Sequence, residues 1–536
     1  MNYEYFAIFN YFCYKNNSFF KYRNKVFTIH LNTLQSYILS ILNRITLITS
    51  GNRSLVRIGF TLFVVALALS CNREELDPDP SANPAFSTDT VTFDTVFSTI
   101  GSATLHFKVY NRSNRPLMIN SIELAGGEAS FFRINIDGEP VPYAAEVEIP
   151  PDDSLFIFVA VTVDPTNQNN PVVITDSIVF NTNGRLRDVK LIAYGQDVHL
   201  IDGEILRTQT WNNDKPYLVY NSMAVDTGET LTILEGTSIY FHRNSSMIVW
   251  GSLQVQGTWE KPVIFRNDRL EKFYDIIPGQ WGTLYFDPIS SGNRLDHAVI
   301  LNSIAGIQIG YPSDYTVPDL EISNSMIMNV AFAGIYAFGA DITCYNTVIV
   351  NSAGPAVALL RGGKYNFLHC TISNNGVPGA SRTTPSVVIS NFFNNPEFNE
   401  STGSYEYVRR TGDLEQADFR NSIIYGSYPH EIQLIDNASE AFNYQFDHCL
   451  MKVVVDSIEG LPAARFSSII FNEDPRFSND SDRYHPDYSL DTLSPAKDSG
   501  AMQLLITYPY LERDISGSFR NSDTGPDLGA FERKED

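Results

Sequence analysis

The chain has 536 residues, of which 43% are hydrophobic, 12% aromatic and 18% charged, enough apolar surface for large cores and a composition that excludes global disorder. Its 38 Lys and Arg stand against 61 Asp and Glu, a net charge of −23, so nucleic acid and anionic lipid headgroups are not general partners and any polyanion needs a local basic patch. Five cysteines (Cys13, Cys71, Cys344, Cys370, Cys449) without a C-x-x-C pair give neither a disulfide framework nor a zinc signature.

Residues 1–50 are crowded with Asn, Tyr, Phe, Ile and Lys without a regular hydrophobic period, and read as an overextended gene start. Residues 51–70 follow the plan of a signal peptide: Arg53 and Arg57, the apolar run Ile58 to Leu69, then Ser70 before Cys71. The run is too short to span a bilayer comfortably. Residues 1–70 carry seven Lys and Arg against one Glu, so the remainder is more acidic than the whole. Residues 71–84 form a tether, acidic through Glu74, Glu75, Asp77 and Asp79 and made flexible by Pro78, Pro80 and Pro84.

Residues 85–198 alternate apolar and polar positions in short runs such as TLHFKVY and LFIFVAVTV, with turn residues between them and a turn at Asn183-Gly184. About seven strands in some 110 residues predict a β-sandwich. Nothing in this segment suggests chemistry, and it is assigned no active site.

Residues 200–536 contain a repeat. HAVILN (297–302), NSMIMN (324–329), NTVIVN (346–351) and HCTISN (369–374) align, with NSIIYG (421–426) and HCLMK (448–452) continuing them; the first four end on Asn302, Asn329, Asn351 and Asn374, which are 27, 22 and 23 residues apart. Such a period is one turn of a parallel β-solenoid, whose coils bury their apolar faces only by stacking. The alignment predicts an inward small column (Ala298, Ser325, Thr347, Cys370, Ser422, Cys449) and an inward apolar column (Ile300, Ile327, Ile349, Ile372, Ile424, Met451), with Val348 on the opposite side of its strand. It also predicts an asparagine ladder at the repeat ends, and a capping column of His297, Asn324, Asn346, His369, Asn421 and His448. The cysteines of this half are then packing residues. Trp250, Trp259 and Trp281 fall in the opening coils and read as core or cap residues. The fold class is all-β: a β-sandwich followed by a parallel β-solenoid with a C-terminal cap.

Three candidates for chemistry share one offset. Asp319, Asp341 and Lys364 each lie ten residues before a ladder Asn, so neighbouring coils bring them together; two carboxylates could hold calcium and the lysine could act as base. The same pattern suits a solvated charge ladder. Calcium is the one cofactor this pattern admits. Arg361, Arg382, Arg409, Arg410 and Arg420 are scattered over loops, where they could line a groove for acidic glycans.

Four stretches carry family resemblances. ALSC resembles the lipobox of bacterial lipoproteins, with Ala68 where that pattern prefers Leu, which implies acylation at Cys71 and outer-membrane lipid as a partner. NREELDPDP resembles the acidic export signal of Bacteroidota lipoproteins, implying display on the cell exterior. KVYNRSNRPLMINSIELAGGEASFFRI, PPDDSLFIFVAVTVDP and LIAYGQD resemble the immunoglobulin-like modules of the ASPM, SPD-2 and Hydin group. MIVWGSLQVQGTWEKPVIFRND at one end, with SPAKDSG, DISGSFR and DLGAFER at the other, resembles the right-handed parallel β-helix, pectate-lyase-like proteins of bacterial surfaces. These resemblances imply a non-catalytic surface lipoprotein that binds glycan or protein or contributes to envelope structure. The alternative is a polysaccharide lyase or glycoside hydrolase acting on acidic glycans.

Overall fold

The computed structural model describes residues 83–98, 100–164, 172–454 and 462–533. The gene-start segment, the signal peptide, Cys71 and nearly all of the acidic tether lie outside the described residues. Among the described residues no helix is long and apolar enough to cross a membrane.

The N-terminal domain consists of two sheets. A four-stranded sheet has the order Ala85–Phe86, Leu105–Tyr110, Ser154–Val161, Phe132–Ile136, and a five-stranded sheet the order Thr90–Phe97, Arg185–Gln196, Val172–Thr182, Leu117–Leu124, Tyr143–Ile149. Pairing is antiparallel except between Thr90–Phe97 and Arg185–Gln196. Period-two alternation puts Leu155, Ile157, Val159 and Val161 on one face with Phe107 and Phe132 of the same sheet, and this face meets Ile119 and Phe180 of the other. Asn183 and Gly184 both hold positive φ, 52° and 79°, as a two-residue hairpin turn with right-handed strands requires.

From His199 onward the chain winds through three parallel sheets, visited in turn, of 11, 9 and 10 strands. The repeat alignment is the strand register. Ile300, Ile327, Ile349, Ile372, Ile424 and Met451 are successive Cα partners in the first sheet. All six are buried, as are all six residues of the small column. The third sheet contributes a second interior stack, Phe367, Phe419, Phe446 and Phe466, with neighbouring ring centroids 4.7 to 5.1 Å apart, close to the 4.8 Å step between strands.

In six successive coils the corner from the third sheet to the first is a single left-handed residue: His297, Asn324, Asn346, His369, Asn421 and His448 have φ between 48° and 50°. Asn tolerates this region because its short polar side chain bonds locally. Asn346 Nδ2 donates to Asn324 Oδ1 at 3.1 Å, and Asn421 Nδ2 meets His369 Nε2 at 3.0 Å, so two steps of the column are joined by side-chain hydrogen bonds. Two of the repeat-end asparagines satisfy backbone: Asn374 Oδ1 accepts from the Ser352 and Gly376 amides and its Nδ2 donates to the Gly354 carbonyl, and Asn302 Nδ2 donates to the Tyr274 carbonyl. Cys344 and Cys370 are buried with their sulfurs 3.8 Å apart, and burial raises the Cys344 and Cys449 thiols well above their usual range.

The C-terminal segment packs along the flank of the solenoid. Tyr488, Ile515 and Ala530 cover Val348 and Val350, while Leu490, Ala496 and Leu528 cover Ile423 and Leu450. Helix Met502–Thr507 lays Leu504 and Leu505 against Tyr345 and Leu368. Val348 points outward, as expected, yet is as buried as Ile349.

Candidate functional site

Two neighbouring outward surfaces collect the polar and aromatic side chains left over once the core is built. They meet at the corner between the second and third sheets, where loop 310–318 and the hairpin Phe392–Asn399/Ser404–Thr411 leave the regular coil.

On the third sheet, Asp319, Asp341 and Lys364 are direct register partners, so the common offset in sequence becomes one row in space. Asp319 accepts the Gly292 amide at 2.8 and 2.9 Å, and Asp341 pairs with Lys364 at 3.5 Å in an ion pair that is nearly half exposed. Two residues further along their strands, Glu321 accepts the Tyr345 hydroxyl at 3.1 Å and lies 3.5 Å from Arg294. Asp319, Glu321, Asp341, Arg294 and Thr343 line an open depression of about 390 Å³. Tyr510, from the C-terminal segment, stands against Tyr345 at 4.6 Å. Among the described residues no group of three or more His, Cys, Asp or Glu side chains is arranged to hold a metal ion.

The arginines of these coils sort into different roles. Arg382 is buried against Glu431 in a two-pronged pair of 2.7 and 2.8 Å, and Glu431 also accepts the Ser386 hydroxyl and the Ser386 and Tyr428 amides, so this pair fastens a loop to its coil. Arg420 pairs with Asp418 at 2.8 Å, and Arg409 lies over the Phe392 ring. Arg361 and Arg410 do something else. Arg361 donates to the Phe338 carbonyl at 3.0 Å, and its guanidinium carbon sits 4.6 Å from the centroid of the Tyr315 ring. Arg410, on the hairpin, grips Glu397 through bonds of 2.7 to 3.0 Å, and the Tyr315 hydroxyl also faces it. Burial lowers Arg361 from its ordinary value, whereas Glu397 and then Tyr315 raise Arg410.

The backbone explains how Arg361 reaches this place. It is held at φ 59°, and is followed by Gly362 and Gly363, both at positive φ; a Cβ on Gly363 would lie 2.5 Å from the Tyr365 hydroxyl and 2.6 Å from the Ala340 carbonyl oxygen. The hairpin is seated by Phe393, which meets Phe338 at 5.0 Å above the outer face of the second sheet. Loop 310–318 contributes Tyr311 and Tyr315, 48% and 58% exposed beside these charges, and the hairpin adds exposed Phe398, Tyr405 and Tyr407. Sequence reasoning named Arg361 and Arg410 without their partners. Its only available signal for the tyrosines was the irregular stretch YPSDYTVPD, where the repeat lapses.

The tryptophans divide. Trp281 is core, stacked on Phe241 at 4.2 Å with its indole N–H donating to the Leu301 carbonyl, while Trp259 is 41% exposed and meets Phe531 edge-on.

The fold defines an all-β chain in which antiparallel sheets precede a parallel β-helix. No family model and no curated protein matches this sequence. Among solved structures, the catalytic unit of a GH87 α-1,3-glucanase from Streptomyces thermodiastaticus is similar at 9% identity and a TM-score of 0.21, covering 65% of this chain and 80% of that one. A family 123 glycoside hydrolase from Clostridium perfringens is similar at 9% identity and a TM-score of 0.14, and this chain spans 25% of its length against 21% of its own. Likenesses this slight carry no argument about activity.

Proposed function

We propose that this chain is a non-catalytic lipoprotein of the outer-membrane surface, anchored by lipid on Cys71, whose β-helix binds glycan at the corner of loop 310–318 and the 392–411 hairpin. The carrying observation is Tyr315, an exposed ring set between Arg361 and Arg410. Aromatic faces and guanidinium forks are the two groups that hold sugars best, one by stacking on the apolar ring face, the other by paired hydrogen bonds to hydroxyl or carboxylate oxygens. The resemblance of ALSC to a lipobox and of NREELDPDP to an export signal supports the anchor and the outward display. The two-domain likeness to immunoglobulin-like modules and pectate-lyase-like β-helices supports a surface role. A protein partner would use the same ring cluster through larger buried area.

The register of Asp319, Asp341 and Lys364 supports a second reading, a polysaccharide lyase or hydrolase, because it presents two carboxylates and a base along one open row. One experiment separates the two. The ectodomain, residues 72–536, is incubated with uronate-containing and neutral polysaccharides while retardation in glycan-containing native gels, absorbance of unsaturated products and new reducing ends are followed. Binding without products, weakened in Tyr315→Ala/Arg410→Ala, is expected; products lost in Lys364→Ala would establish the enzyme instead.

A further inference from the structure

The four-stranded sheet of the N-terminal domain turns one face to the core and the other outward. Alternation puts His106, Lys108 and Tyr110 of Leu105–Tyr110 on the outward face, with Ser154, Phe156, Phe158 and Ala160 of Ser154–Val161 and Arg133 and Asn135 of Phe132–Ile136. Strand pairing makes neighbours of them: Lys108 is opposite Phe156, and His106, Phe158 and Asn135 form one row. Two features set this face apart.

The first is a ring platform. Phe156 and Phe158 lie nearly parallel, 18° between planes and 6.0 Å between centroids, with the His106 ring 5.6 and 5.7 Å from them; Phe158 is 37% exposed. A partly exposed phenylalanine pair on the solvent side of a sheet contributes nothing to the core, which Ile157 and Val159 already fill from the other side. The second feature is charge. Lys108 holds its ammonium 4.5 Å from the Phe156 centroid, Arg112 lies over Tyr110, and Arg133 is exposed on the neighbouring strand. Among the described residues none of these three cations is in an ion pair, although acids outnumber bases 61 to 38 in the chain. No outward position of these strands carries a carboxylate; Asp137 and Asp153 stand only at the strand ends. The face is therefore the local basic patch that a chain of net charge −23 needs before a polyanion can approach it.

We infer that this sheet face is a second binding site, for an acidic polysaccharide whose sugar rings lie on Phe156 and Phe158 and whose carboxylate or sulfate groups are met by Lys108, Arg133 and Arg112. Charge complementarity selects this occupant: a neutral glycan would use the rings and leave the cations unanswered, and an apolar protein surface would bury them unpaired at a cost. The site lies on the sandwich, apart from the Tyr315 corner, and does not depend on what that corner binds.

The test uses the whole ectodomain in native gels containing polygalacturonate, heparin or neutral β-glucan, with the corner already removed by Tyr315→Ala/Arg410→Ala. Retardation by both acidic polymers that weakens with added salt, and none by the neutral one, is expected. Phe156→Ala/Phe158→Ala should weaken it about tenfold, as for loss of a stacked ring pair. Lys108→Ala/Arg133→Ala should weaken it and flatten its salt dependence. Phe156→Tyr/Phe158→Tyr, which keeps the platform, should bind normally and shows that the sheet tolerates change there. Equal retardation by neutral and acidic polymers, no retardation by any, or unchanged affinity in the alanine variants would each overturn the proposal; retardation by only one of the two acidic polymers would assign the site to that anion, carboxylate or sulfate.

Discussion

The Arg520 guanidinium, carried by the C-terminal segment, donates a 3.0 Å hydrogen bond to the Asn346 side-chain carbonyl in a solenoid corner 174 residues earlier in the chain. Arg520 is wholly buried, reaches Glu532 at 3.4 Å, and donates to the Gly529 and Ala530 carbonyls, while Asp514 accepts the Glu532 amide and Glu532 accepts the Asp527 amide. The motifs DISGSFR and DLGAFER are thus one latch, fastening the tail to the flank. The one cation faces the Asp514 and Asp527 carboxylates and the Glu532 carboxyl group. Removing the cation strands them all. Arg520→Ala should cost about 3–5 kcal/mol, the range for breaking a buried pair, and should be seen as early proteolytic release of the tail.

The same latch should respond to pH. Burial, and next the Asp527 carboxylate, push the Glu532 carboxyl up to about 8 from an ordinary 4.5, against the pull of Arg520. A carboxyl raised in the folded state favours folding while it holds its proton, so its contribution is complete below about pH 4.5 and is lost as pH rises through about 8. The melting temperature of the wild type relative to Glu532→Gln should therefore fall between these limits. A difference that stays flat, or rises, across that window would show that Glu532 is ionised in the folded protein.

Ile349 and Val348 are adjacent, equally buried, and buried by different things: Ile349 by Ile327 and Ile372 in its own interior column, Val348 by the tail residues Tyr488, Ile515 and Ala530. Ile349→Asp should abolish the solenoid, since an unpaired carboxylate cannot be accommodated between two isoleucines. Val348→Asp should release the tail and leave the β-rich circular dichroism in place. Protease susceptibility confined to the C-terminal segment distinguishes the second outcome from the first.

Glu431 has five bonds to satisfy around one carboxylate, two of them from Arg382. Glu431→Ala should destabilise by about 3–5 kcal/mol and expose loop 375–386 to cleavage, because it leaves the Arg382 guanidinium buried without its counter-charge. Arg382→Ala/Glu431→Ala together should cost less than the two single changes combined, measured by a thermal double-mutant cycle.

The anchor is tested on the cell. A palmitate analogue should label the wild type and not Cys71→Ser. Labelling of both would remove the lipid from the proposed function.

What the sequence determined by itself is the coil. A repeat places equivalent residues one step apart in space by construction, so spacing between Asn329, Asn351 and Asn374 sufficed to pair Ile327 with Ile349 and Ile372, and to line up Asp319, Asp341 and Lys364. What covers the coil obeys no such period. Whether outward Val348 meets water or Ile515, whether Arg361 and Arg410 approach the same tyrosine, and whether Lys108 lies over Phe156 depend on where long loops, a hairpin and a tail of fifty-odd residues come to rest. Those contacts join residues far apart in the chain, chosen by shape and charge among whole surfaces, and local alternation is the same for an outward residue that stays wet and one that ends up buried. Only the tertiary structure could tell them apart.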